Sequence, residues 1–338
     1  MLKRRPYRRH LPLYSFRPVS APSPHFGAPC CGAPCCGERE LRGPSKASID
    51  ISAALPGVGR QLRLFAMSGV IFALVQNEQS ALPTLSAAEQ LAGLMGSARI
   101  NVMAVRVPPA TTIMPSEEIL TTYQAAEIRL QEQARVAALQ VIYDGWAAAA
   151  RSPTLTTEWA DVEGLVDMLV GEWGRRSDYL VINRPTARDK LGDRLAMHAA
   201  LFDTGRPVLA VPPGFGAVLG ERIAIAWRDE PCTARSVIAA LRLLPSTRPV
   251  HVLAGVAATA PSPILPEMLA EHGIEAVLHA LPLGHGSFGE ALLRKAHHIG
   301  ADLLVMGAYT RSPWRELILG GVTHYMLANA DIPVLMRH

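Results

Sequence analysis

Asp302-Leu303-Leu304-Val305-Met306-Gly307, followed by Gly320-Gly321-Val322-Thr323 and closed by Ile332-Pro333-Val334-Leu335-Met336, decides how the chain folds. The first run is the short apolar segment a buried parallel strand needs, and it ends directly on a glycine. Gly307-Ala308-Tyr309-Thr310 starts a loop, and the second glycine pair opens an apolar-periodic helix before a terminal strand. Glycines at both ends of the loop let backbone N–H groups come close to a ligand. The second pair sits at a helix start, where unpaired N–H donors and the dipole favour an anion. Strand, glycine loop, helix and strand in that order build a phosphate site.

Working outward, the same alternation runs back through the second half. Strands are predicted over 222–227, 249–254 and 276–281, and helices over 233–244, 266–272 and 289–299, the last ending at Gly300. Ser287 is placed as the N-cap of that helix. The first half repeats the order: strands over 70–75, 99–105, 155–159 and 178–183, and helices over 84–95, 116–150 and 162–173. Asp178 precedes Pro207-Val208-Leu209 as Asp302 precedes Pro333-Val334-Leu335, so the chain reads as an internal duplication. Strands alternating with helices imply right-handed crossovers and a parallel sheet covered on both faces. The fold class is α/β, two tandem doubly wound parallel-sheet domains.

This arrangement resembles the nucleotide-binding end of universal stress proteins, whose pattern is glycine, two residues, glycine, nine residues, glycine, then Ser or Thr. Gly307 and Gly320 stand where the pattern asks. Thr310 replaces its second glycine and Gly321 its Ser/Thr, with Thr323 two places on. The resemblance implies adenine-nucleotide α-hydrolase-like domains, with ATP or another adenine nucleotide, carried with Mg, bound in the second one. The residues it implicates are Ala226, Asp229, Gly307, Thr310, Arg311, Gly320, Gly321, Val322 and Thr323. Relatives that bind ATP place an aspartate just after the first strand; here Arg228 precedes Asp229, a shift of one residue. Relatives also pair through their last strands, which implies an intramolecular pseudo-dimer with 208–211 beside 334–336 and leaves a further homodimer open. In the first half, Asn183-Arg184-Pro185-Thr186 replaces the glycine loop, so that domain is expected not to bind. A degenerate site on a scaffold or interaction module is the alternative that Thr310 and Gly321 support. A carboxylate at Ala308 is expected to abolish any nucleotide effect, and changes at Arg184 to do nothing.

The expected domains are 1–66, an extension that is disordered or lies upstream of the true start at Met67; 67–214, a degenerate domain; and 215–338, the nucleotide-loop domain. Residues 1–66 hold 11 of the 33 basic and 3 of the 29 acidic side chains, leaving the body mildly acidic. That sign argues against nucleic acid as a partner. Four of the five cysteines fall in the extension, as Cys30-Cys31 and Cys35-Cys36, and Cys232 alone lies in the body. Adjacent cysteines reach one ion awkwardly, and no histidine follows at ligand spacing. No apolar run is long enough to cross a membrane, and a cytoplasmic protein with unknown protein partners is expected. No nucleophile is paired with a base, and His297-His298 point about 100° apart on a helix, so no enzyme is expected.

Overall fold

The structure is a computed structural model describing residues 69–111, 121–149, 155–186, 189, 191–244, 248–257, 259, 261–284, 286–308 and 321–338. The expectations for 1–66, and for Thr310, Arg311 and Gly320, lie outside the described residues.

The first half runs β1 (Gly69–Leu74), α1 (Glu78–Met95), β2 (Ala98–Arg106), α2 (Thr122–Ala149), β3 (Leu155–Glu163), α3 (Val166–Gly174), β4 (Tyr179–Asn183), α4 (Leu191–Asp203) and β5 (Val208–Val211). The second runs β6 (Ile223–Trp227), α5 (Pro231–Ala240), β7 (Val250–Val256), α6 (Glu267–Glu271), β8 (Ala276–Pro282), α7 (Phe288–His298), β9 (Leu303–Gly307), α8 (Val322–Asn329) and β10 (Val334–Arg337). All ten strands join one sheet, in the order β3-β2-β1-β4-β5-β10-β9-β6-β7-β8. Neighbours are parallel except β5 and β10, which meet antiparallel.

The two halves therefore mirror each other about that seam. Leu209 sits beside Val181 in the first half and Leu335 beside Val305 in the second, and the two leucines are paired directly. Val208–Val211 thus lies against the C-terminal strand as expected, and each half's last strand is covered by the other's, which removes two exposed edges. Continuous apolar runs such as Val208-Leu209-Ala210-Val211 are buried on both sides, as a helix-covered sheet requires. One face carries α1, α2 and α5 over Ile71, Val102, Ile225 and Leu335. The other carries α3, α4, α7 and α8 over Phe72, Leu180, Leu304 and Val334, so both cores run across the seam.

Aspartates before β4 and β9 tie each half together. The Val70 N–H donates to Asp178 Oδ2 at 2.8 Å, and the N–H groups of Gly220, Glu221 and Arg222 donate to the Asp302 carboxylate at 2.8–3.0 Å.

Several boundaries differ from the sequence reading for local reasons. α1 begins at Glu78, ahead of the predicted residue 84, because the Asn77 side chain accepts from the Ser80 N–H and caps the helix despite Pro83 inside it. α5 starts at Pro231, whose fixed φ and missing N–H suit a first turn. Residues 162–163 are strand, not helix. β3 continues to Glu163 because Arg106 of β2 holds Asp161 at 2.6 Å and Glu163 at 3.5 Å across the ladder. Ser287 does cap α7, accepting from the Glu290 N–H.

Candidate functional site

A cleft of about 1350 Å³ opens beyond the C-terminal ends of β6 and β7. From β6 the chain goes to β7 on one side and later returns to β9 on the other, so the cleft lies beside the point where strand order reverses. Ligands of open α/β sheets bind in such crevices. Trp227, Arg228 and Asp229 form the wall after β6, Ala254 and Gly255 the end of β7, and Gly321 with Val322 the start of α8.

The far wall comes from the segment before α6 and from the start of α7. A β-carbon on Gly255 would lie 2.9 Å from Phe288 Cζ and 3.0 Å from Leu283 Cδ2. Glycine there lets both side chains fold over the strand end. α7 and α8 are equally close: a β-carbon on Gly289 would lie 2.7 Å from Tyr325 Cβ. Large apolar side chains are left open around the mouth, with Ile264 79% and Leu283 51% exposed. Clustered exposed apolar surface with a few polar groups is the usual make-up of a small-molecule site. Arg228 is paired with Glu230 at 2.8 Å, while Asp229, Glu267 and Glu271 bring carboxylates to the lining.

The matching place in the first half is closed. A separate cavity of about 10 Å³ lies among Leu74, Gln76, Ile182 and Asn183, between the ends of β1 and β4. Helix α2, 28 residues long, lies over this half and inserts Arg135. Its guanidinium donates to the Gln76 carbonyl at 2.7 Å, to the Val105 carbonyl at 2.6 Å and to Glu132 at 2.7 Å. Glu132 in turn accepts from the Val107 N–H at 3.1 Å. Five-residue α6 follows β7 in the second half and makes no such plug.

The structure gathers some of the predicted residues and disperses others. Asp229, Gly321 and Val322 line the cleft. Gly307 does not: a β-carbon there would lie 3.0 Å from the Thr233 backbone nitrogen, so this glycine admits the start of α5, not a ligand. Ala226 packs with the second core cluster and Thr323 is buried, and neither lines the cleft. Ala308 is fully buried, so a carboxylate there would disrupt the core before it repelled a phosphate. Arg184 is not a neutral loop residue either: it is buried and donates to the Leu327 and Ala328 carbonyls at 2.7 and 2.8 Å. Gly255, Ile264 and Phe288 were missed. A glycine interrupting the apolar β7 pattern was the one signal for them.

Cys232 is buried, its thiol set against the carbonyls of Ala308 and Arg337 at 3.2 Å, and burial pushes its pKa up. It is thus a poor nucleophile. Nδ1 of His251 and Nε2 of His279 are 3.0 Å apart on neighbouring strands. Among the described residues no three His, Cys, Asp or Glu side chains are grouped to hold a metal ion, and no helix is long and apolar enough to cross a membrane.

Residues 249–338 match the model of the universal stress protein family. The structure is similar to a universal stress protein from Archaeoglobus fulgidus, at 16% identity and a TM-score of 0.58, covering 81% of this chain and 97% of that one. It is also similar to a functionally unknown protein from Pseudomonas aeruginosa, at 12% identity and a TM-score of 0.50, covering 80% and 93%. At these identities the likeness is one of fold. No curated protein matches.

Proposed function

We propose, for a chain whose residues 249–338 match the model of the universal stress protein family, that it is a regulatory stress-response protein whose second half senses an adenine nucleotide in the cleft beyond β6 and β7. The observation that carries this reading is the contrast between a cleft of about 1350 Å³ there and the Arg135 side chain that fills the equivalent strand ends of the first half, bonded to the Gln76 and Val105 carbonyls. The apolar rim of Ile264, Leu283 and Phe288 offers a surface to a base, Asp229 an acceptor to a ribose, and the α8 start N–H donors to a phosphate. Mg would arrive with the nucleotide.

In this reading 67–214 and 215–338 are tandem repeats, the first without a ligand, and the β5–β10 seam makes an intramolecular pseudo-dimer. The protein is cytoplasmic and non-catalytic, and its output is a change in stability or surface that partners read. A scaffold with a degenerate site is the second reading, favoured by Gly307, whose glycine serves packing.

Thermal unfolding of the full chain with and without Mg-ATP, ADP and AMP separates the two. A ligand at about 100 times its Kd stabilises by about 2.7 kcal/mol, a rise of roughly 4–5 °C in a protein of this size. No shift at millimolar ligand favours the scaffold.

A further inference from the structure

We propose that Arg184 of the first half positions α8 and thereby regulates the cleft of the second half; this rests on reading that cleft as a ligand site. α8 has two ends with two functions. Its start, Gly321 and Val322, lines the cleft. Its last turn presents the Leu327 and Ala328 carbonyls, which have no partner within a helix. Both accept from Nη1 of Arg184. A cation at the negative end of the helix dipole, giving two charge-assisted hydrogen bonds from a buried side chain, fixes both the axial position and the rotation of an eight-residue helix.

The arrangement has one direction. The Arg184 N–H donates to the Val211 carbonyl just as the Ala308 N–H donates to the Arg337 carbonyl, so the two residues are counterparts. The Ala308 methyl carries no donor to send back, and in the first half Thr204 closes α4 by donating to the Ala200 carbonyl. Among the described residues the tether therefore runs from the half without a cleft to the half with one.

A second helix is drawn into the same anchor. Asp331, just past α8, lies 2.6 Å from His297 of α7 and, with Asp189, supports the Arg184 charge against the burial that lowers its pKa. α7 begins at Phe288, which lines the cleft, and packs on α8 where Gly289 meets Tyr325. The two helices bounding the cleft at their starts thus converge near Arg184 at their ends.

Hydrogen–deuterium exchange of the full chain without ligand, with AMP binding measured alongside, tests this in the unsubstituted protein, Arg184→Ala and Arg184→Lys. The expected result is exchange of the α8 amides at least tenfold faster in Arg184→Ala, with α5 and β6 unchanged and AMP binding weakened about fivefold or more. Arg184→Lys, which keeps the charge, should recover part of both. Unchanged α8 exchange overturns the positioning role, as does a loss of protection spread evenly over the protein with AMP affinity unchanged. If Arg184→Ala does not fold, Arg184→Lys alone decides, and wild-type exchange and affinity in that variant overturn the proposal. Failure of AMP to bind the unsubstituted protein at millimolar concentration contradicts the ligand reading and with it the regulatory part. Intact binding with unchanged exchange contradicts Arg184 alone.

Discussion

Val105 and Gly255 occupy the same position in the two halves: each lies two residues beyond the β2 or β7 residue, Met103 or Leu253, that pairs with Leu74 or Ala226. Val105 is fully buried, and its carbonyl is held by Arg135. Gly255 is exposed, and Phe288 and Leu283 bend over it. A symmetric scaffold is thus closed on one side and open on the other through a few side chains.

Gly255→Val restores the first-half residue. Its β-carbon would meet Phe288 at 2.9 Å and push that ring toward the cleft. The expected cost is about 1–2 kcal/mol from overpacking, together with at least a tenfold loss of AMP affinity by calorimetry. Unchanged affinity would show that this wall does not face the ligand.

Removing the first-half plug should cost more than removing Arg228 from the cleft wall of the second half. Arg135→Met leaves the Gln76 and Val105 carbonyls without their donor, for roughly 1–3 kcal/mol in urea unfolding. Arg228→Met breaks an exposed pair with Glu230 and should cost under about 1 kcal/mol. Equal losses would contradict the plug.

The His251–His279 pair makes stability sensitive to acid. Burial lowers both pKa values below the usual 6.5, and nearby cations lower them further: Arg222 and Lys295 for His251; Lys295, His251 and His298 for His279. The unfolded chain binds protons that the folded one resists, so this stability is present above pH 6.5 and is lost as pH falls through the lowered folded values. His279→Gln should flatten the decline between about pH 7 and pH 5 followed by thermal unfolding. An identical decline would place the sensitivity elsewhere.

Carboxylates outnumber cations among the described lining residues, with Asp229, Glu267 and Glu271 against Arg228. Glu267→Gln with Glu271→Gln should therefore tighten ATP binding a fewfold, since each exposed charge contributes well under about 1 kcal/mol after screening, and leave adenosine binding unchanged. Equal effects on both ligands would mean the two glutamates act through the helix, not through charge.

The alternation of elements, the matching strand order of the two halves and the strand-to-strand seam were legible because apolar runs such as Leu303-Leu304-Val305 and Pro207-Val208-Leu209 carry period and punctuation together. The start of α1 was not, since Pro83 obscured a cap formed by Asn77, and residues 162–163 kept strand geometry through ion pairs that periodicity does not reveal. The site was legible only in part. Gly307 and Gly321 look alike in sequence, yet one admits a helix and the other lines a cleft, a distinction set by what packs on them. Arg184 was misread because its partners, Leu327 and Ala328, lie in the other half.

Isothermal titration of the full chain with AMP and with Mg-ATP tests the central claim most directly, using Gly321→Phe as a block. Gly321 has a φ of −56°, so a side chain fits its backbone and fills the cleft from the start of α8. The account predicts one ligand per chain, lost in Gly321→Phe and retained in Arg135→Met. No binding at millimolar ligand, or binding that survives Gly321→Phe, would contradict it.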